Sequence, residues 1–301
     1  MKTLGSLIKR NTKMFFKDKG IFFTSLITPL ILLVLYATFL ANVYRDAFLA
    51  SMPEGIAVSE KLIDATVGGQ LFSSLLAVSC VTVSFCSNML MVQDKVTGAR
   101  TDLTVSPVKS STMAFAYYLS TTISTLIIAL VATGACFIYL AIVGWYLRAA
   151  DILLLFLDVL LLVGFGTALS SVINFFLASQ GQISAVGSIV SAGYGFICGA
   201  YMPISQFSSG LQSAVALLPG TYGTSLLRNH ALAGVFAEMN SLGFPPEALK
   251  GIKDSIDCNI YFFGASVPQW AMYLVLSLSV VLLIVVYVLL NKFIGSKARK
   301  K

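Results

Sequence analysis

Apolar residues in this chain fall in long, nearly uninterrupted blocks instead of alternating or recurring at core spacing. A run of about 20 apolar residues is what an α-helix needs to cross the hydrocarbon core of a bilayer. The blocks predict six spans, near residues 21–42, 68–92, 113–144, 152–178, 183–203 and 267–291. The third and fourth exceed one perpendicular crossing, so they are expected to tilt or to extend beyond the bilayer. The chain is therefore read as an all-α membrane protein, with residues 1–301 forming one transmembrane domain.

Composition agrees with the pattern. Of 301 residues, 57% are hydrophobic and 11% charged, and the mean hydropathy is +0.87. Soluble domains carry roughly 25% charged residues, more than this chain has to cover a water-facing surface. The net charge of +7 lies mainly beside the apolar blocks: six basic residues precede the first and five follow the last. With six spans, the termini and the 93–112 loop hold fourteen Lys and Arg residues, and the opposite loops hold six. Basic residues are retained on the cytoplasmic side during insertion, which predicts a multi-pass protein with both termini cytoplasmic. No interleaved basic and aromatic surface is left for nucleic acid. The first block, at 22 residues, is too long for a signal-peptide core of 7–15 and is expected to be an uncleaved span.

Shorter patterns fill the gaps. Over residues 1–20, Leu4, Leu7, Ile8, Met14 and Phe15 recur at helical spacing, with Lys9, Lys13 and Lys17 on another face. That predicts an amphipathic helix in the headgroup layer with its apolar side down. Residues 204–266 form the largest outer segment. It contains an apolar stretch at 210–219 too short to cross, expected to pack on the protein or re-enter the membrane, and a short polar helix at 247–257.

Candidate chemistry is sparse. Ser73, Ala77, Cys80, Ser84 and Asn88 share one side of the second span, the surface of either a helix contact or a transport path. Gly187, Ser191, Gly195 and Gly199 lie four apart on the fifth, which suits close backbone packing within one subunit or between two. Asp158 is the one acid well inside a span, near its outer surface, where a structural hydrogen bond is favoured over proton coupling. The five cysteines form no CxxC pair, and a single histidine excludes HExxH and any multi-histidine metal site. No Gly-Lys dipeptide exists, so the chain has no P-loop. These absences argue against an enzyme and against a metal or cofactor bound by this chain. The 93–112 loop carries Gly98 and Pro107 around a piece long enough for two to three helical turns, which is either a rigid lever or a connecting turn.

Three pieces of the chain resemble the type-2 ABC exporter permeases. The start, LIKRNTKMFFKDKGIFFTSLITPLILLVLY, is similar to a basic interfacial helix running into a first span with a proline, here Pro29. The loop QDKVTGARTDLTVSPVKS matches the stretch before the third span, although Asp94 stands where many members have glutamate. The segment YMPISQFSSGLQSAVALLPGTYGTSLLRNHALAG resembles the pattern after the fifth span, with Pro219, Tyr222 and Arg228. The resemblance implies two permease subunits, identical or similar, paired with two separate ABC ATPases that bind ATP and Mg. Asp94, Arg100, Thr101, Asp102, Leu103, Ser106 and Pro107 would then contact the ATPase through a coupling helix. The second and fifth spans would line the path, and the leading helix would touch the same ATPase. The implied function is export across the plasma membrane by alternating access, with an amphipathic small molecule or peptide favoured as cargo. The alternatives are an exporter of lipid-linked polymers, an ATP-independent channel and an immunity protein.

Overall fold

A computed structural model describes residues 2–50, 52, 58–105 and 108–293. Five helical segments in it are long and apolar enough to cross a membrane. The first comprises α2 (Lys19–Leu35), a π-helical turn (Tyr36–Leu40) and α3 (Ala41–Ala50). The others are α4 (Glu60–Val96), α6 (Ser110–Val143), α7 (Ala149–Phe176) and α13 (Gln269–Phe293). These elements answer the expected first, second, third, fourth and sixth spans.

The expected fifth span is shorter and more polar. It forms α8 (Gln180–Ile197), whose 18 residues include Gln180, Gln182 and four glycines. After it the chain turns back sharply. Gly199 has φ +74°, and the Ala200 and Tyr201 amides both donate to the Gly195 carbonyl, at 2.8 and 3.0 Å. Tyr201 thereby folds onto α8 so closely that a side chain at Gly195 would collide with its ring. Gly195 is thus spent on this reversal, and α8 ends six residues before the expected boundary at 203.

Helix ends follow local chemistry. Asp18 caps α2 through the Ile21 amide (3.1 Å), and Ser59 caps α4 through the Leu62 amide (3.3 Å). The outer segment folds as α9 (Ser209–Val215), α10 (Pro219–Ala231), α11 (Ala233–Ser241) and α12 (Pro246–Ser255), with Pro opening α10 and α12. A two-residue hairpin follows, β1 (Tyr261–Phe262) against β2 (Ala265–Ser266), closed by Phe263 and Gly264 at positive φ.

α4 is the axis of the bundle. In its most apolar stretch 94% of residues are buried, against 50% or less in the other four candidate spans. It packs against α2, α6, α7, α8 and α10. At roughly 1.5 Å per residue its 37 residues span about 55 Å, well beyond the ~30 Å hydrocarbon core.

The leading segment forms α1 (Lys2–Lys17), a helix as expected. Part of its apolar side rests on the bundle. Leu7, Asn11 and Phe15 are buried, and Phe15 packs with Val83 of α4 and Ile128 of α6. α1 packs mainly along α6. Lys9, Lys13 and Lys17 face outward, beside exposed Met14 and Phe16.

Candidate functional site

The loop after α4 folds as α5 (Ala99–Val105), entered through Gly98 at φ +82°. Ser106 and Pro107 lie outside the described residues. Thr101 and Asp102 are exposed, and Leu103 turns inward toward a cluster of Met91, Met113, Tyr117 and Tyr287. Three charged residues tie this end of the bundle together. Asp94 is 2% exposed and receives a bidentate Arg10 guanidinium at 2.6 and 2.9 Å, plus the Tyr117 hydroxyl at 2.6 Å. The same hydrogen bond with Asp94 raises the pKa of Arg10 above its ordinary value. Lys95 donates to the carbonyls of Asn174, Phe175 and Leu177 at the end of α7. Arg100 reaches Asn291 Oδ1 on α13 at 3.3 Å.

Among the residues expected to meet a partner, the structure thus separates two groups. Thr101 and Asp102 present themselves on the surface, whereas the Asp94 carboxylate is turned inward and occupied by α1 and α6. A buried carboxylate needs its charge and lone pairs satisfied, and Arg10 supplies both. Nothing at position 94 alone marks that partner; the clue is an unpaired-looking arginine on the leading helix.

The polar stripe of α4 lies inside the chain. Ser73, Ala77, Cys80, Ser84 and Asn88 are all buried. Ser84 meets Thr167 at 3.3 Å, and the Asn88 amide donates to Ser170 and Ser171 at 3.0 and 2.9 Å while its carbonyl faces Thr121 at 3.4 Å. Gly166 allows this approach, since a Cβ there would sit 2.9 Å from the Val81 Cα and 3.0 Å from the Cys80 carbonyl oxygen. In this conformation Ser84 and Asn88 meet α7 at a close helix contact.

Gly187 and Ser191 of α8 instead border a groove beside α2. Its first part, about 510 Å³, is lined by Asp18, Thr24, Gln93, Gln180, Ser184 and Ser191 among others. Its second, about 430 Å³, is apolar, with Ile31, Leu35, Phe39, Phe196 and Tyr201. Ile27, Ser188 and Ser191 line both, so the groove is continuous, mainly apolar throughout and with more polar side chains in its first part. Gly199 lies away from it, in the reversal after α8.

At the opposite end, two buried networks appear. Arg228 of α10 donates to Asp257 (3.1 Å), to the carbonyls of Ile256 (2.9 Å) and Gly199 (2.6 Å), and to Ser74 of α4 (3.2 Å). Asp257 also accepts the Ile204 and Ser205 amides. Burial pushes the neighbouring Cys258 thiol up to about 12. Asp158 of α7 is completely buried between His230 Nδ1 and the Tyr273 hydroxyl, each at 2.6 Å. Its place in a span was legible from sequence; its partners, 72 and 115 residues away, were not. Among the described residues no three His, Cys, Asp or Glu side chains gather as a metal site.

The family model for the ABC-2 type transporter matches residues 2–231. The chain belongs to that family: it is a membrane-embedded, multi-pass permease of an ABC transporter. Such a domain is not itself catalytic and associates with an ABC ATPase subunit. No curated protein matches the chain.

Proposed function

We propose that this chain is the transmembrane subunit of an ATP-driven exporter in the plasma membrane, with both termini and α5 on the cytoplasmic side. Two permease chains, identical or similar, work with two separate ATPases that bind ATP and Mg. ATP closes the ATPase pair and displaces α5, and the permeases tip from inward-facing to outward-facing. ATP can shift that equilibrium only as far as its differential affinity for the two states allows.

The observation that carries this reading is α5 itself. It is a short helix with Thr101 and Asp102 outward, braced at its base by residues that reach α1, α6, α7 and α13. A connecting turn needs no such bracing; a lever does. Asp94 belongs to the coupling machinery as the residue that fixes α1 beside α5, and Arg100 and Leu103 as those that seat α5 on the bundle. Ser106 and Pro107 complete the loop by family resemblance. The α2–α8 groove, with Gly187 and Ser191, is the candidate path or permease–permease interface, and its mainly apolar lining, with more polar side chains in its first part, favours an amphipathic small molecule or peptide.

The test is co-purification with the candidate ATPase, comparing wild type with Asp102→Ala, which removes an exposed side chain and leaves the fold alone. Wild type should bind the ATPase and hydrolyse ATP, and the variant should bind less or uncouple hydrolysis from transport. If no ATPase binds the wild type, the channel or immunity-protein reading replaces this one.

A further inference from the structure

α5 and the groove-lining helix α8 are distant in sequence. Between them lie α6 and α7, more than sixty residues. Yet Lys95 sits four residues before α5, and its ammonium reaches the elbow where α7 ends and α8 begins. We propose that Lys95 is a positioning residue, the strut through which displacement of α5 moves the α7–α8 elbow and so reshapes the groove. This role rests on the coupling function proposed for α5.

The geometry is complete on the Lys95 side. An ammonium has three donors. Here they meet three carbonyls, those of Asn174 (3.2 Å), Phe175 (2.6 Å) and Leu177 (3.1 Å), with the Phe175 ring 5.3 Å away. These carbonyls lie at the C-terminus of α7 and just beyond it, the Asn174 oxygen being shared with the Leu177 amide (3.2 Å), and a cation there is favoured both as donor and by the dipole. The cation, however, comes from the helix that leads into α5. One residue earlier, Asp94 grips α1 and α6; one turn later, Arg100 grips α13. The stretch 94–100 is therefore fastened to α1, α6, the end of α7 and α13.

The elbow is short and built to pivot. Residues 177–179 alone separate α7 from α8. α8 is then restarted by local bonds, from the Gln182 amide to Ser179 Oγ (3.3 Å) and from the Ala178 amide to Gln182 Oε1 (2.7 Å). Beyond it, Gln180, Ser184 and Ser188 line the groove directly. A second observation marks the site as capable of another arrangement. The Nδ2 of Asn174 is buried with no hydrogen-bond partner among the described residues, a cost that a shifted elbow can relieve.

The experiment uses the full chain in lipid nanodiscs, alone and with its ATPase, and follows amide exchange by mass spectrometry. Lys95→Met keeps the apolar stem and removes the donors, and Lys95→Arg restores donors. In the chain alone, Lys95→Met should speed exchange about tenfold or more at both 97–105 and 178–184, the loss expected for hydrogen bonds to a charged group, with Lys95→Arg near wild type. In the complex, wild type should show an ATP-dependent change at 178–184 that Lys95→Met loses while still hydrolysing ATP. A merely structural cap would lower stability and leave that response in place. Exchange that rises on one side only, or an ATP response at the elbow that persists in Lys95→Met, overturns the strut. An ATPase that never binds wild type overturns the exporter reading and this role together, and is recognised by the absent complex. Should Lys95→Met fail to fold, Lys95→Gln carries the same comparison.

Discussion

α4 and α8 both carry small and polar side chains at four-residue spacing, and they sit in opposite surroundings. α4 buries nearly its whole apolar stretch, whereas α8 buries only Ile183 and Gly195. Where the α4 stripe meets α7 its polar groups are satisfied across the contact: Ser84 donates to the Cys80 carbonyl at 2.7 Å and also faces Thr167, and the Asn88 amide donates to Ser170 and Ser171. Those of α8 line a groove that none of the other described residues fills. A small-and-polar stripe thus means a finished contact in one helix and an unfinished surface in the other. The difference is set by the neighbours. α7 offers Gly166, Thr167, Ser170 and Ser171 on the side that meets α4, while α2 offers α8 mainly bulky apolar residues such as Ile27 and Ile31 across an open gap.

The most damaging change should be the one that breaks the joint between the two helices. Arg228 holds Ser74 of α4 and the Gly199 carbonyl beyond α8 at once, while neutralising buried Asp257. Arg228→Met leaves that carboxylate uncompensated, and removing one partner of a buried pair costs about 3–5 kcal/mol. Reversible unfolding in detergent would measure it, and a variant as stable as wild type would mean that the outer segment is held some other way. Next comes the α4–α7 contact itself. Gly166→Leu forces a side chain against the α4 backbone and should cost about 1–3 kcal/mol or more in the same assay. The equivalent change at Gly187 meets only the flexible end of Met89, so the two should differ clearly; equal losses would erase the contrast between the helices. Asn88→Leu is a smaller perturbation. Hydrogen bonds between membrane helices average about 0.6 kcal/mol and reach about 1.7, and Asn88 makes two good ones.

How much of this was readable in advance depended on range in sequence. Block hydrophobicity located the long helices because crossing a bilayer needs a length that few other constraints imitate. It overestimated α8, whose glycines and glutamines lower its apolarity and whose reversal at Gly199 consumes the residues that extend the run to 203. The bounds of the α5 segment were legible from Gly98 and Pro107, which are local signals, but those residues left a helix and a connecting turn equally open. What stayed hidden was pairing. Asp94 reads as an exposed loop acid until Arg10, 84 positions earlier, is placed over it. Asp158 reads as an isolated membrane acid until α10 and α13 bring His230 and Tyr273 to it. Whether a small-residue stripe is buried is likewise a property of the facing helix, which no periodicity in the stripe itself encodes.

The sharpest version of the comparison asks for little energy and a clear readout. Ser84→Cys on α4 and Ser188→Cys on α8 each exchange one small side chain for another. The α8 change touches no packed core, so its effect on stability should stay within about 0.5 kcal/mol. The five native cysteines are all buried, but Cys86 borders the same groove as Ser188, so both variants are made on a Cys86→Ser background; burial holds the Cys258 thiol at about 12, so little of it is thiolate near neutral pH. A small membrane-permeant maleimide should then modify Cys at 188 and leave Cys at 84 untouched in the chain alone. Adding the second permease subunit and the ATPase extends the test. If α8 is the permease–permease face, position 188 should become protected on assembly. If the groove remains a cargo path, 188 should stay reactive and respond to ATP. Labelling at 84 as fast as at 188 would show that α4 opens to solvent in a way its satisfied contacts with α7 do not allow, and the distinction between the two helices would fall.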